Sequence, residues 1–153
     1  EHLEAALEQN HLSLPEVNSV EYEHLRITAG LGKLGHEWSE SYNPLEAGLL
    51  HLTSFTKGCY IGQEVVARLD SYNKVKQRVM GFIGTDKLAV GDEVVADDKV
   101  VGVITSLTTT LDEHTTLALG YVRGEHAHEG APIPVRHDGT DHTFTLKLPP
   151  LKD

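Results

Sequence analysis

Apolar residues recur along this chain in two rhythms, and the rhythm changes once. Over residues 2 to 9, Leu3 and Leu7 stand four apart with Ala6 beside them, the stripe of a short amphipathic helix that should end near Asn10. Ser13 to Pro15 interrupt the pattern, and Ser19 is placed to cap a second helix from Val20 to about Ala29, with Leu25 and Ala29 on one face. Gly30, Gly32 and Gly35 follow within six residues, which predicts a turn-rich crossing with positive φ. Asn43-Pro44-Leu45-Glu46 reads as a helix entry, with Asn43 as cap, Pro44 at the first helical position and Glu46 reaching back to the cap. A further helical pattern runs from Gln63 to about Leu69, with Val65, Val66 and Leu69 apolar.

From Lys74 the helical spacing gives way to short runs rich in Val, Ile, Thr and Leu, divided by Gly and Asp. These are Val75 to Ile83, Glu93 to Ala96, Val100 to Thr109, Thr115 to Arg123, Ile133 to His137 and His142 to Leu148. Asp138-Gly139 between the last two is a hairpin turn signal. Six strands at this spacing, with no helical pattern between them, predict an antiparallel barrel or sandwich. The fold class expected is therefore α+β, with a boundary near residue 73: residues 1–73 form one unit and residues 74–153 a small six-stranded antiparallel β-barrel.

Composition narrows the function. Hydrophobic residues at 39% and charged residues at 24% suit a folded chain. Thirteen Lys and Arg against twenty-three Asp and Glu give a net charge of −10. Nucleic-acid affinity draws on cationic side chains that release counterions, so no direct nucleic-acid partner is expected. No apolar run approaches the roughly 20 residues of a membrane helix, and no secretory signal is evident. With a single cysteine there can be no internal disulfide, and a reducing, cytoplasmic setting fits.

The candidate chemistry concentrates in Lys57-Gly58-Cys59-Tyr60-Ile61-Gly62-Gln63-Glu64, which packs the only cysteine, two glycines and several polar side chains into eight residues. No packing periodicity asks for that mixture. Cys59 is either a small buried hydrophobe or a reactive thiol; Lys57 and the helix that starts just beyond it would both favour thiolate. Lys57 is either solvated or the holder of an anionic ligand tail. Tyr60 either fills the core or stacks on a ligand ring, and Gln63 offers donors and acceptors to a heterocycle edge. Arg68 supplies another cation or a surface salt bridge, and Glu64 can stabilise the helix start. Glu46 also has two readings, a capping residue or a carboxylate that accepts paired hydrogen bonds from a ligand. Ten histidines include His126 and His128 in one loop, but a structural zinc site asks for tighter Cys and His spacing, so no metal is expected.

The octapeptide resembles the K-G-C-[aromatic]-x-G-Q-E signature of the YgfZ-type folate-binding proteins, relatives of the aminomethyltransferase (T-protein) of the glycine cleavage system. Other segments agree with it. Arg26, Ala29, Gly30, Gly35 and Glu37 resemble the family's R-x-x-A-G-x-x-x-x-G-x-E segment, and Asn43 to Leu49 its P-L-E-A-G-L segment. Val101 to Ser106 and Ala118 to Arg123 resemble its V-G-x-[VI]-T-S and A-L-G-Y-V-R strands. The resemblance implies a partial helical, ferredoxin-like folate-binding remnant in residues 1–73, followed by the terminal barrel. The family's longer N-terminal half, with much of the folate cavity and the aminomethyltransferases' catalytic aspartate, is expected to be missing.

By the same resemblance the ligand is tetrahydrofolate or a derivative, with Glu46 at its pterin end. Cys59 and Lys57 supply the family's distinctive chemistry, and Tyr60, Gln63 and Arg68 are candidate contacts. The implied function is support of iron–sulfur cluster assembly or repair and, through cluster enzymes, of tRNA modification, with cluster-assembly proteins or cluster enzymes as partners. Two other readings stay open: a tetrahydrofolate-dependent aminomethyltransferase, and a β-barrel interaction module without a small ligand. A homo-oligomer is a further expectation, since a face left by an absent half could pair two chains.

Overall fold

The computed structural model describes residues 2–11, 14–54, 58, 64, 75–110 and 114–151. Among these residues two helices, α1 (His2–Gln9) and α2 (Ser19–Thr28), and a short 3-10 turn (Leu50–Leu52) precede six strands. The strands are β1 (Gln77–Gly84), β2 (Glu93–Ala96), β3 (Lys99–Thr109), β4 (Thr116–Arg123), β5 (Pro132–His137) and β6 (Thr140–Lys147). All pairings between these strands are antiparallel and the order β1-β4-β3-β2-β5-β6 closes on itself, so the α+β class and the six-stranded barrel are as the sequence predicts.

Alternation along the strands builds two cores. Met80 and Phe82 of β1, Ala118 and Val122 of β4, Val135 of β5 and Phe144 of β6 fill the barrel, every one of them fully buried. The alternate residues point outward, yet Val79, Leu117, Leu119 and Tyr121 are buried too. Ile27 of α2 and Leu151 beyond β6 pack on them, so β4 is covered on both faces. That coverage explains why Thr116 to Val122 reads as a continuous buried run rather than an alternating one. The chain end is tied in by the Leu151 amide, which donates to Thr28 O at 2.8 Å.

β3 carries a bulge at Thr105, between Ile104 paired with Gly120 and Ser106 paired with Leu119. A bulge places two residues against one and re-aims side chains. Here both Thr105 and Ser106 have hydroxyls buried under α2, where they meet charged partners.

Three local expectations change. The cap of α2 is Asn18, not Ser19: its side chain accepts from the Val20 and Glu21 amides at 2.9 and 3.0 Å, and Glu21 returns a bond to the Asn18 amide. This is a full capping box, and Ser19 lacks the glutamate three residues on that would complete one. The buried face of α2 is Arg26 and Ile27, while Leu25 is 47% exposed, because Ser106 of β3 and the buried Glu37 draw the arginine inward. The entry at Asn43 forms only one turn, ended at Gly48 with φ 74°. The predicted helix from Gln63 to Leu69 lies outside the described residues except for Glu64, which is helical. The glycine-rich crossing does reach positive φ, at Gly30 (70°) and Gly35 (84°), and Gly30 also lies against Pro149, where a Cβ would not fit.

Candidate functional site

Two features lie side by side on the face of the barrel beneath α2: a buried polar knot and an open cleft. The knot centres on Arg26, 4% exposed, and Glu37, 1% exposed. Nη1 of Arg26 donates to Leu31 O (2.6 Å) and Glu37 Oε2 (3.3 Å), and Nη2 to Ser106 Oγ (2.9 Å) and Glu23 Oε2 (2.7 Å). Nε adds a bond to Glu23 at 3.1 Å, so all five N–H donors of the guanidinium are engaged.

Glu37 is equally occupied. It accepts from the Lys33 amide (3.0 Å) and the Thr105 hydroxyl (2.5 Å), while the Tyr121 hydroxyl donates to its main-chain carbonyl (2.8 Å). A charge this deep is tolerable only when paired and hydrogen-bonded throughout, which these two are. The guanidinium of Arg26 holds the Glu23 carboxyl below its ordinary range, and burial pushes the Tyr121 phenol above its own. Tyr42 stacks on Tyr121 with ring centroids 3.5 Å apart.

The knot fixes the loop between Gly30 and Tyr42, and that loop forms a wall of the cleft. The cleft measures about 660 Å³ and runs between this loop, the turn 44–52, β1 and the Leu148–Pro150 segment. Its size is that of a small-molecule site, typically about 300–1,000 Å³. Trp38, the only tryptophan, lies across Gly32, where any Cβ would strike the indole. The Trp38 Nε1 is buried and has no hydrogen-bond partner among the described residues.

Glu46 lines the cleft and is 6% exposed. The Leu45 and Glu46 amides donate to Asn43 Oδ1, each at 3.0 Å, and the Asn43 amide donates to Glu46 Oε2 at 3.2 Å. The capping role read from the sequence is therefore present. It uses one carboxylate oxygen. Glu46 Oε1 takes no donor from the described residues and is not sealed from solvent. The Glu46 carbonyl accepts from the Val79 amide at 3.0 Å, which pins the turn to β1.

Of the site residues proposed from sequence, Glu46 alone falls among the described residues; Lys57, Cys59, Tyr60, Gln63 and Arg68 lie outside them. Trp38, His51 and Arg78 line the cleft without having been singled out. The single tryptophan beside a glycine run was a usable signal for the first, while nothing in the sequence distinguishes Arg78 from other exposed cations. Arg26 and Glu37 stood in the sequence only as motif positions. Their pairing across eleven residues was not legible. Among the described residues no group of three or more His, Cys, Asp or Glu side chains could hold a metal ion, and His126 and His128 contact Glu125. Among the same residues no helix is long and apolar enough to cross a membrane.

Comparison with known proteins agrees with this geometry. Residues 77–153 match the family described as the glycine cleavage T-protein C-terminal barrel domain. Over 122 residues, 80% of the chain, it is 38% identical to an Arabidopsis thaliana protein named as a candidate chloroplastic transferase, of which it covers 28%. It is 32% identical over 129 residues to the aminomethyltransferase of Synechocystis sp., covering 81% of this chain and 33% of that one. The fold is similar to that of aminomethyltransferase T of the glycine cleavage system from Bartonella henselae, with a TM-score of 0.73 at 21% identity, over 85% of this chain and 37% of that one. The chain thus spans about a third of the length of the relatives it matches. Barrel order, family match and relatives converge: this chain belongs to the glycine cleavage T-protein family, the aminomethyltransferase superfamily, through its C-terminal barrel.

Proposed function

We propose that this chain is part of a tetrahydrofolate-binding accessory protein of YgfZ type, which supports iron–sulfur cluster assembly or repair and thereby tRNA modification. Residues 1–73 are the end of its folate-binding domain and residues 74–153 its barrel. The observation that carries the reading is Glu46, a buried carboxylate on the cleft with one oxygen committed to its own turn and the other taking no donor from the described residues. Such an oxygen suits the amino and N–H edge of a pterin, and the Trp38 indole supplies a flat apolar wall beside it. The K-G-C-Y-I-G-Q-E octapeptide supports the YgfZ assignment, with Cys59 and Lys57 as its reactive pair and Tyr60, Gln63 and Arg68 as further ligand contacts. The lone cysteine fits a reducing compartment, the cytoplasm by sequence, although one relative is chloroplastic.

Calorimetric titration with tetrahydrofolate tests the reading. Saturable binding is expected, and Glu46→Gln, which keeps the cap but removes the charge, should weaken it roughly tenfold or more through a lost charge-assisted hydrogen bond. Heat no different from dilution overturns it. Iodoacetamide should alkylate Cys59 faster than a model thiol. The second reading is a tetrahydrofolate-dependent aminomethyltransferase, favoured by relatives of that name. Formation of methylene-tetrahydrofolate from an aminomethyl-lipoyl carrier protein would establish it instead.

A further inference from the structure

The described residues that line the cleft include one carboxylate, Glu46, and one side chain that is always cationic, Arg78. The two are close along the fold. Arg78 immediately precedes Val79, whose amide is bonded to the Glu46 carbonyl. Yet they form no ion pair with each other, and the Arg78 side chain makes no ion pair or hydrogen bond with any described residue. They also differ in depth, since Glu46 is buried while Arg78 is exposed at the rim. The rest of the cleft lining is mainly apolar and includes Leu31, Trp38, Leu50 and Pro149.

We propose that Arg78 is a specificity-determining residue of the cleft, binding a carboxylate on the outer end of a ligand whose inner end donates hydrogen bonds to Glu46. A guanidinium presents paired donors in one plane, and carboxylate is the group that matches them. At the rim the carboxylate keeps part of its hydration, so its capture costs less desolvation than it would on the floor. A carboxylate placed inside instead would meet Glu46 and be repelled. The two charges thus orient the ligand and exclude its reverse pose. The inference rests on the folate reading above, and in that reading the outer carboxylate belongs to the glutamyl tail.

The experiment compares two probes, tetrahydrofolate and 6-methyltetrahydropterin, which has the ring but no tail. Both are titrated against the chain, Arg78→Ala and Arg78→Lys at low and at physiological salt. Three results are expected of the unaltered chain and Arg78→Ala. The unaltered chain favours tetrahydrofolate roughly tenfold or more; Arg78→Ala removes that preference and its salt dependence; and affinity for the tail-less pterin stays the same. Arg78→Lys, a point charge without the fork, should recover part of the preference. Equal binding of both probes by the unaltered chain, or an undiminished preference in Arg78→Ala, overturns the role of Arg78 and leaves the folate reading standing. A loss in Arg78→Ala that is equal for both probes also overturns it, since the arginine would then serve the ring or the cleft wall. Binding of neither probe by the unaltered chain overturns both.

Discussion

Arg26 and Glu37 show how a motif residue can carry structure rather than chemistry. Each is held by several partners, and each is nearly inaccessible to solvent. Removing Arg26 strands Glu37 as a buried unpaired charge, which typically costs about 3–5 kcal/mol, while removing Glu37 leaves Arg26 still paired with Glu23 and costs less. Arg26→Met and Glu37→Gln should each lower stability by an amount near that range in urea denaturation, with the neutral glutamine at the lower end. The double variant should lose less than the sum, by about 1–3 kcal/mol, because the second removal no longer strands a charge. Strict additivity would show that the ion pair at 3.3 Å contributes little and that the hydroxyls of β3 hold each residue separately. The same reasoning separates Glu46 from this pair. Its capping bond is replaceable by glutamine, and its second oxygen takes no donor from the described residues, so charge and stability can be uncoupled there but not at Glu37.

At the scale of elements, the strands were legible because the barrel enforces a period of two wherever one face is solvated, and all six appear within about two residues of their expected ends. α2 was legible in extent but not in facing. Its buried Arg26 answers to Ser106, 80 positions away, and no local period encodes that. The cleft was legible at Glu46 and not at Arg78, for the same reason: exposed cations look alike until a fold places one beside a carboxylate.

Turns divide similarly. Asp138-Gly139 has φ of 47° and 78°, the two positive values a tight hairpin of this type needs, and its sequence announces it. The β2–β3 hairpin makes the same turn with Asp97 and Asp98, at 49° and 59°, and no glycine marks it. An L-residue in that region is strained by about 1–2 kcal/mol. Asp98→Gly should relieve that strain, offset in part by greater freedom of the unfolded chain, for a net gain of about 0.5–1 kcal/mol. Thermal denaturation should show Tm rising by roughly 1–4 °C. A fall in Tm would mean that the Asp98 side chain does more for the turn than its backbone strain costs.

At the scale of the molecule, the question is whether the helical segment and the barrel act as one. We propose residues 1–73 and 74–153 as two units of sequence, yet they share a core. Ile27 packs with Val79, Leu117, Leu119 and Leu151, and Arg26 and Glu37 are satisfied by β3. Without α2 the outward face of β4 would be opened to water, and burying one such side chain is worth about 1.5–3 kcal/mol. Loss of several at once would consume much of the 5–15 kcal/mol that typically holds a domain. The two units should therefore unfold in one transition. The protein carries its own reporters for this, since the sole tryptophan, Trp38, sits in the loop before the barrel while far-UV circular dichroism reads helices and strands together. Urea curves from the two signals should superimpose, with one midpoint and one slope. If the Trp38 signal moved first, the loop would be leaving a barrel that stands alone, and the shared core would contribute less than its burial implies. Glu37→Gln gives the control: it should shift both curves together, because the knot it weakens spans the two units.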